Sequence, residues 1–309
     1  MKAHHKKTSH GFTLIELLVS MVITTIIITV LVTVTVTSLD IWNRNRAEVR
    51  ASSQGKAMVD SMAADFESMA VRRGNDFQWL FAEFMPPTQG PNGNLSPTSL
   101  DLIFFSAATD RYEGKVGDVD DDKGGDISTI GYKLIYKDPI GDDSNDKFKT
   151  FVLYRKIVNP DETFTNLLGK ADLKTAFLPY APGGSASIDE KKNFICENVY
   201  QFTVKFHVDV QVTSAGGVTT TQQTAVTLND AQQFLVTGNG LTTTGVSAPT
   251  VDAANLASGR LTAVEVSLTV LTDSAVKQLR GRSFDADQLS DFIAENSYQY
   301  SKLIQVPSY

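Results

Sequence analysis

From Leu17 to Leu39 the chain runs for 23 residues without a charge, LLVSMVITTIIITVLVTVTVTSL. About 20 such residues cross a bilayer as a helix. The richness in Thr, Val and Ile looks strand-like, but the length and the lack of breakers argue for a helix. Inside lipid the backbone must bond to itself, and Thr hydroxyls can bond to a carbonyl one turn back. The run passes directly into a polar segment. There Met58, Met62, Phe66 and Met69 recur at spacings of four, four and three, one helical face. Asp60, Asp65, Glu67 and Arg72 read as lying off that face. Gly74 after Arg72-Arg73 reads as a helix stop. The pattern predicts one long helix, Phe12 to Arg73. Its first half is apolar, and its second half packs under a globular body.

Beyond Asn75 the pattern changes. The stretch 75–97 carries Pro86-Pro87, Gly90-Pro91 and Asn92-Gly93 and reads as irregular. Its Phe77, Trp79, Leu80, Phe81 and Phe84 anchor it to the core. Strand-like runs follow at Leu100–Phe105, Ile127–Tyr136, Phe151–Val158, Val199–Val212 and Leu261–Leu271. The last two alternate clearly. Between them 213–258 is rich in Thr, Gly, Ser, Ala and Gln and reads as a loop or an extra hairpin. Ser274–Leu279 and Asp285–Glu295 predict helices, and Leu303–Val306 a short strand. One long helix followed by separate strands predicts an α+β fold with a mostly antiparallel sheet.

Charge sharpens this picture. The first eleven residues carry Lys2, Lys6 and Lys7 and no acid, while the 309-residue chain is −7 overall, which leaves −10 for the rest. An acidic body argues against a nucleic-acid partner. A basic N-terminal end suits the inner side of a membrane. The apolar run is too long for an ordinary secretory signal, and no A-x-A site closes it. A plain membrane anchor fits the run but gives no role to Glu16, a carboxylate at its edge.

Residues 10–20, HGFTLIELLVS, closely resemble the type IV prepilin cleavage and methylation motif: a basic leader, Gly11, Phe12, then Thr13-Leu14-Ile15-Glu16 and a long apolar helix. The family comprises type IV pilins and the pseudopilins of type II secretion. The resemblance implies that a membrane aspartyl peptidase, the prepilin peptidase, cuts between Gly11 and Phe12 and methylates the new amino group. Glycine at the cut lets a protease approach the backbone closely. By the same analogy Glu16 pairs with the N-terminal ammonium of a neighbouring subunit and sets axial register. The chain then divides into a leader (1–11), a membrane or filament-core helix (12–39), its amphipathic continuation (40–74) and a pilin-like extracytoplasmic domain (75–309).

The order of segments also resembles one subfamily, the J-type minor pseudopilins. The matching stretches are Tyr132–Tyr136, Leu153-Tyr154-Arg155, Val199–Val208 and Leu261–Leu271. The chain departs from that pattern in its length and in the Thr-rich insertion. The resemblance implies a non-enzymatic minor pseudopilin of a periplasmic pseudopilus, and the bulk of the body suits a place near the tip better than a repeating place in the shaft. Its partners would be the prepilin peptidase, other major and minor pseudopilins and the inner-membrane assembly platform. The alternatives are a minor pilin of a type IV pilus and a membrane-anchored extracytoplasmic enzyme.

Candidate chemistry elsewhere is sparse. Asp118, Asp120, Asp122 and Asp126 alternate beside glycines and can wrap a hard cation, so calcium is the one candidate cofactor. The spacing is not that of an EF-hand, because Lys123 and Thr129 stand where Gly and Glu are wanted. A solvated acidic loop is the plainer reading. Ser274-Ala-Val-Lys277 has the S-x-x-K spacing without its partner motifs. His4, His5 and His10 lie in the leader, and His207 stands alone in a strand. Cys196 is the only cysteine, so no intrachain disulfide forms.

Overall fold

The computed structural model describes residues 13–85, 88–96, 99–107, 126–141, 148–214, 216–229, 232–244 and 253–307. The chain forms two compact units, 1–49 and 50–309. Helix α1 (Leu14–Glu67) supplies the described structure of the first and opens the second.

In the first unit the strand-like composition is overridden as expected. Thr24, Thr25, Thr29, Thr33, Thr35 and Thr37 each donate Oγ1 to the carbonyl four residues back, at 2.7–2.9 Å. Ser20 donates its Oγ to the carbonyl of Leu17, three residues back, at 2.9 Å. Each hydroxyl is satisfied within the helix and offers no unpaired donor to an apolar surrounding.

Helix α1 stops at Glu67 rather than at Arg73. The sheet takes over its backbone. Met69 forms an antiparallel bridge with Ser106. Ala70 N–H bonds the Phe105 carbonyl at 2.8 Å, and Ala107 N–H bonds that of Ser68 at 2.9 Å. Gly74 does adopt a left-handed φ of 79°, but it turns an extended segment instead of capping a helix.

The body holds thirteen described strands: β1 (Gln78–Met85), β2 (Thr88–Gln89), β3 (Leu95–Ser96), β4 (Ser99–Ser106), β5 (Ser128–Lys137), β6 (Thr150–Val158), β7 (Phe194–Glu197), β8 (Val199–Thr213), β9 (Thr219–Thr227), β10 (Gln233–Thr237), β11 (Gly240–Thr244), β12 (Arg260–Leu271) and β13 (Ser297–Gln305). They make a seven-stranded sheet, β11-β10-β1-β4-β5-β6-β7, a four-stranded sheet, β13-β12-β8-β9, and the small β2-β3 pair. Every pairing is antiparallel. Between β6 and β7 lie two short helices, α2 (Pro160–Glu162) and α3 (Leu173–Ala176). The later helices are α4 (Ala253–Ala257), α5 (Asp273–Gly281) and α6 (Ala286–Asn296). Thr272 and Asp285 cap the last two, accepting from the backbone N–H groups of Ala275 and Gln288 at 3.2 and 2.8 Å.

The seven-stranded sheet is covered on both faces. Leu80, Ala82, Leu102, Phe104 and Tyr132 join the main core with Met58, Met62 and Phe66 of α1 and the inner face of the four-stranded sheet. Trp79, Phe81, Ile103 and Phe105 point the other way, under Leu167, Leu173, Phe177 and Tyr180 of the α2–α3 region. This corrects the irregular reading of 75–97. Strand β1 holds an unbroken apolar run, residues 79–82, because both of its faces are buried there, and such a run carries no alternation. The four-stranded sheet shows the contrasting case. Phe202, Val204, Phe206, Val264, Val266 and Leu268 face in, while Lys205 and Glu265 pair outside at 3.1 Å.

The segment 213–258 takes the hairpin form: β9 folds back on β8, and the β10–β11 hairpin extends the larger sheet beside β1. The final strand is longer than 303–306 because Tyr298 and Tyr300 supply packing that an aliphatic count does not register.

Candidate assembly site

At the start of α1 the side chains form a capping box. Thr13 gives its backbone N–H and its Oγ1 to Glu16 Oε2, each at 2.9 Å, and Glu16 N–H returns a bond to Thr13 Oγ1 at 3.3 Å. This S/T-x-x-E arrangement satisfies otherwise orphaned helix-end donors and places an anion at the positive end of the dipole. Glu16 therefore has a local role that the sequence reading of a plain anchor did not give it. Thr13 lies after the expected cut, so the same amide remains available in a processed chain.

The helix surface that follows is apolar all round. The large side chains from Leu14 (76% exposed) through Ile26 (58%) to Trp42 (58%) are all open. A helix of this kind is stable only inside lipid or among other helices. It is long and apolar enough to cross a membrane.

Residues 6–32 match the family model for the prokaryotic N-terminal methylation motif. The matched stretch takes in Gly11, Phe12 and Glu16. This is the motif of type IV prepilin-like proteins, and it implies processing by a prepilin peptidase and assembly with other pilin-like subunits. Neither a curated protein nor a solved structure matches the chain.

In the body, a buried ion pair ties the end of α1 to the larger sheet. Arg155 on β6 forks onto Asp65, Nε to Oδ2 at 2.8 Å and Nη2 to Oδ1 at 2.5 Å. Their side chains are 9% and 4% exposed. Tyr132 on β5 donates its hydroxyl to the same Oδ2. Burial, then the Asp65 charge, pushes the Tyr132 hydroxyl well above the usual phenol range, which keeps it a donor. Ser106 Oγ bonds the Asp65 carbonyl at 2.9 Å.

Asp65 is the residue that sequence reading missed. Met58, Met62, Asp65 and Met69 are spaced four, three and four, which puts Asp65 on the apolar stripe and not off it. A carboxylate on an apolar stripe was the available signal.

The other candidates are quickly placed. Gly11, Phe12, Asp118, Asp120 and Asp122 lie outside the described residues. Asp126 is exposed at a bend before β5. Among the described residues no three His, Cys, Asp or Glu side chains group as metal ligands do. Ser274 Oγ lies 3.0 Å from Thr272 Oγ1 at the start of α5, so the S-x-x-K spacing falls on a helix cap. His207 sits 3.6 Å from Glu265 on the outer face of the smaller sheet. Cys196 is buried, and burial pushes its thiol up to about 12, which makes it unreactive near neutral pH.

Proposed function

We propose that this chain is a minor pseudopilin of a type II secretion system. Its helix resides in the inner membrane with the body on the periplasmic side. The prepilin peptidase cuts between Gly11 and Phe12. The processed chain then joins other major and minor pseudopilins through the inner-membrane assembly platform. The observation that supports a filament subunit is the methylation motif leading straight into a helix that is apolar on every side. Such a surface needs lipid first and neighbouring helices later, which is the sequence of environments a filament subunit meets.

A body of two packed sheets is harder to repeat at every helical step than to seat once. Its bulk therefore favours a place at or near the tip. The Leu153-Tyr154-Arg155 strand and the alternating β8 and β12 fit the J-type pattern, and Arg155 gains a purpose there as the partner of Asp65. A cation on Asp118, Asp120, Asp122 and Asp126 remains part of the proposal, with calcium the natural choice for an all-oxygen set.

Deleting the gene tests the secretion reading. The expected phenotype is loss of protein export with surface fibres, adhesion and DNA uptake intact. Normal export with loss of those functions would contradict it and identify a minor pilin of a type IV pilus instead.

A further inference from the structure

We propose that Trp42 and Arg46 form a phospholipid headgroup anchor that fixes the depth of α1 in the bilayer before assembly. The inference rests on the reading that α1 spans a membrane. The uncharged run Leu17–Leu39 is 23 residues, which at about 1.5 Å per residue is roughly 34 Å. The hydrocarbon core is about 30 Å thick. Trp42 lies three residues further on, about 4–5 Å along the axis, and so reaches the headgroup layer.

Trp42 stays open to its surroundings at 58% exposure. One turn later the Arg46 guanidinium sits 5.6 Å from the centre of its ring. The neighbouring cation is committed elsewhere: Arg44 Nε bonds Glu48 Oε1 at 3.2 Å. Among the described residues no carboxylate pairs with Arg46, so its charge is available to a lipid phosphate. An indole has an apolar body and a polar N–H, which suits it to the layer between hydrocarbon and water. Asp40, two residues before the ring, is repelled by lipid phosphates and marks the same boundary from the other sign of charge. In a filament this pair must leave the headgroups, so the anchor also sets part of the barrier to extraction.

The test uses the full chain in phosphatidylcholine vesicles brominated either near the glycerol end or near the tail of the acyl chain. Trp42→Phe serves as the subtraction control, because Trp79, the other tryptophan, is 2% exposed inside the body. The Trp42 signal is expected to be quenched about twofold more by shallow bromine than by deep bromine. Arg46→Gln should bring that ratio towards one. Equal or deeper quenching in the parent chain overturns the anchor, and so does a ratio indifferent to Arg46→Gln. Flotation of the vesicles is read first. A chain that does not float with them refutes membrane spanning itself, whereas a floating chain with the wrong depth profile refutes only the anchor.

Discussion

Asp65→Ala is expected to destabilise the body by about 3–5 kcal/mol, the range for breaking one side of a buried ion pair. The loss comes mainly from what is left behind. Arg155 is 9% exposed and would keep its charge while losing the carboxylate that its fork meets. Tyr132 would lose its acceptor as well. Tyr132→Phe removes one hydroxyl while the Arg155 fork stays, so its cost is expected to be smaller, about 1–3 kcal/mol. Replacing both charges, as in Asp65→Leu with Arg155→Met, should recover most of the loss, because well-packed apolar pairs often match buried ion pairs. Denaturant titration of the four proteins measures these differences. A change for Asp65→Ala within about 0.5 kcal/mol, the range of an ordinary surface substitution, would contradict the clamp.

Glu16→Gln is expected to abolish assembly as completely as Glu16→Ala. This comparison matters because the structure gives Glu16 a second use. As a helix cap it contributes about 1 kcal/mol, and Gln serves nearly as well at that position of a capping box. As the partner of a neighbouring subunit's ammonium it contributes through its charge, which Gln lacks. Losing one partner of a buried pair costs about 3–5 kcal/mol, more than a hundredfold in an assembly equilibrium. The two roles thus predict opposite results for one variant. Crosslinking of the chain to other pilin-like subunits in the native membrane reads the outcome. If Glu16→Gln assembled normally while Glu16→Ala did not, capping alone would explain the residue.

The elements that were legible in the sequence are those with one buried face or none. Strands β8 and β12 alternate because one side meets the core and the other meets water. The apolar half of α1 was legible through its length, and its threonines gave no false signal once each hydroxyl had a carbonyl one turn back. What was hidden depended on distant partners. Strand β1 is buried on both faces and so has no period, and β10 is a five-residue strand set between β1 and β11, so it depends on partners on both sides. The end of α1 was misplaced by six residues because Ser68, Met69 and Ala70 are drawn into pairing with the end of β4. No local signal encodes that competition.

The candidate site divides in the same way. Glu16 stood out because a carboxylate beside a 23-residue uncharged run is conspicuous. Its bonds to Thr13 were also readable, since T-x-x-E at a helix start is a local pattern. Asp65 was not recognised, because its partners Tyr132 and Arg155 are 67 and 90 residues away. Only the fold shows that a charge on the helix is aimed into the core.

The central claim is that this chain is cut and methylated before it assembles. Mass spectrometry of the protein purified from its native membrane tests it most directly. The predicted N-terminal peptide begins at Phe12 and carries one methyl group on its amino nitrogen. An N-terminal peptide that still contains Lys6, Lys7 and Gly11, or one that begins at Phe12 without the methyl group, would contradict the account.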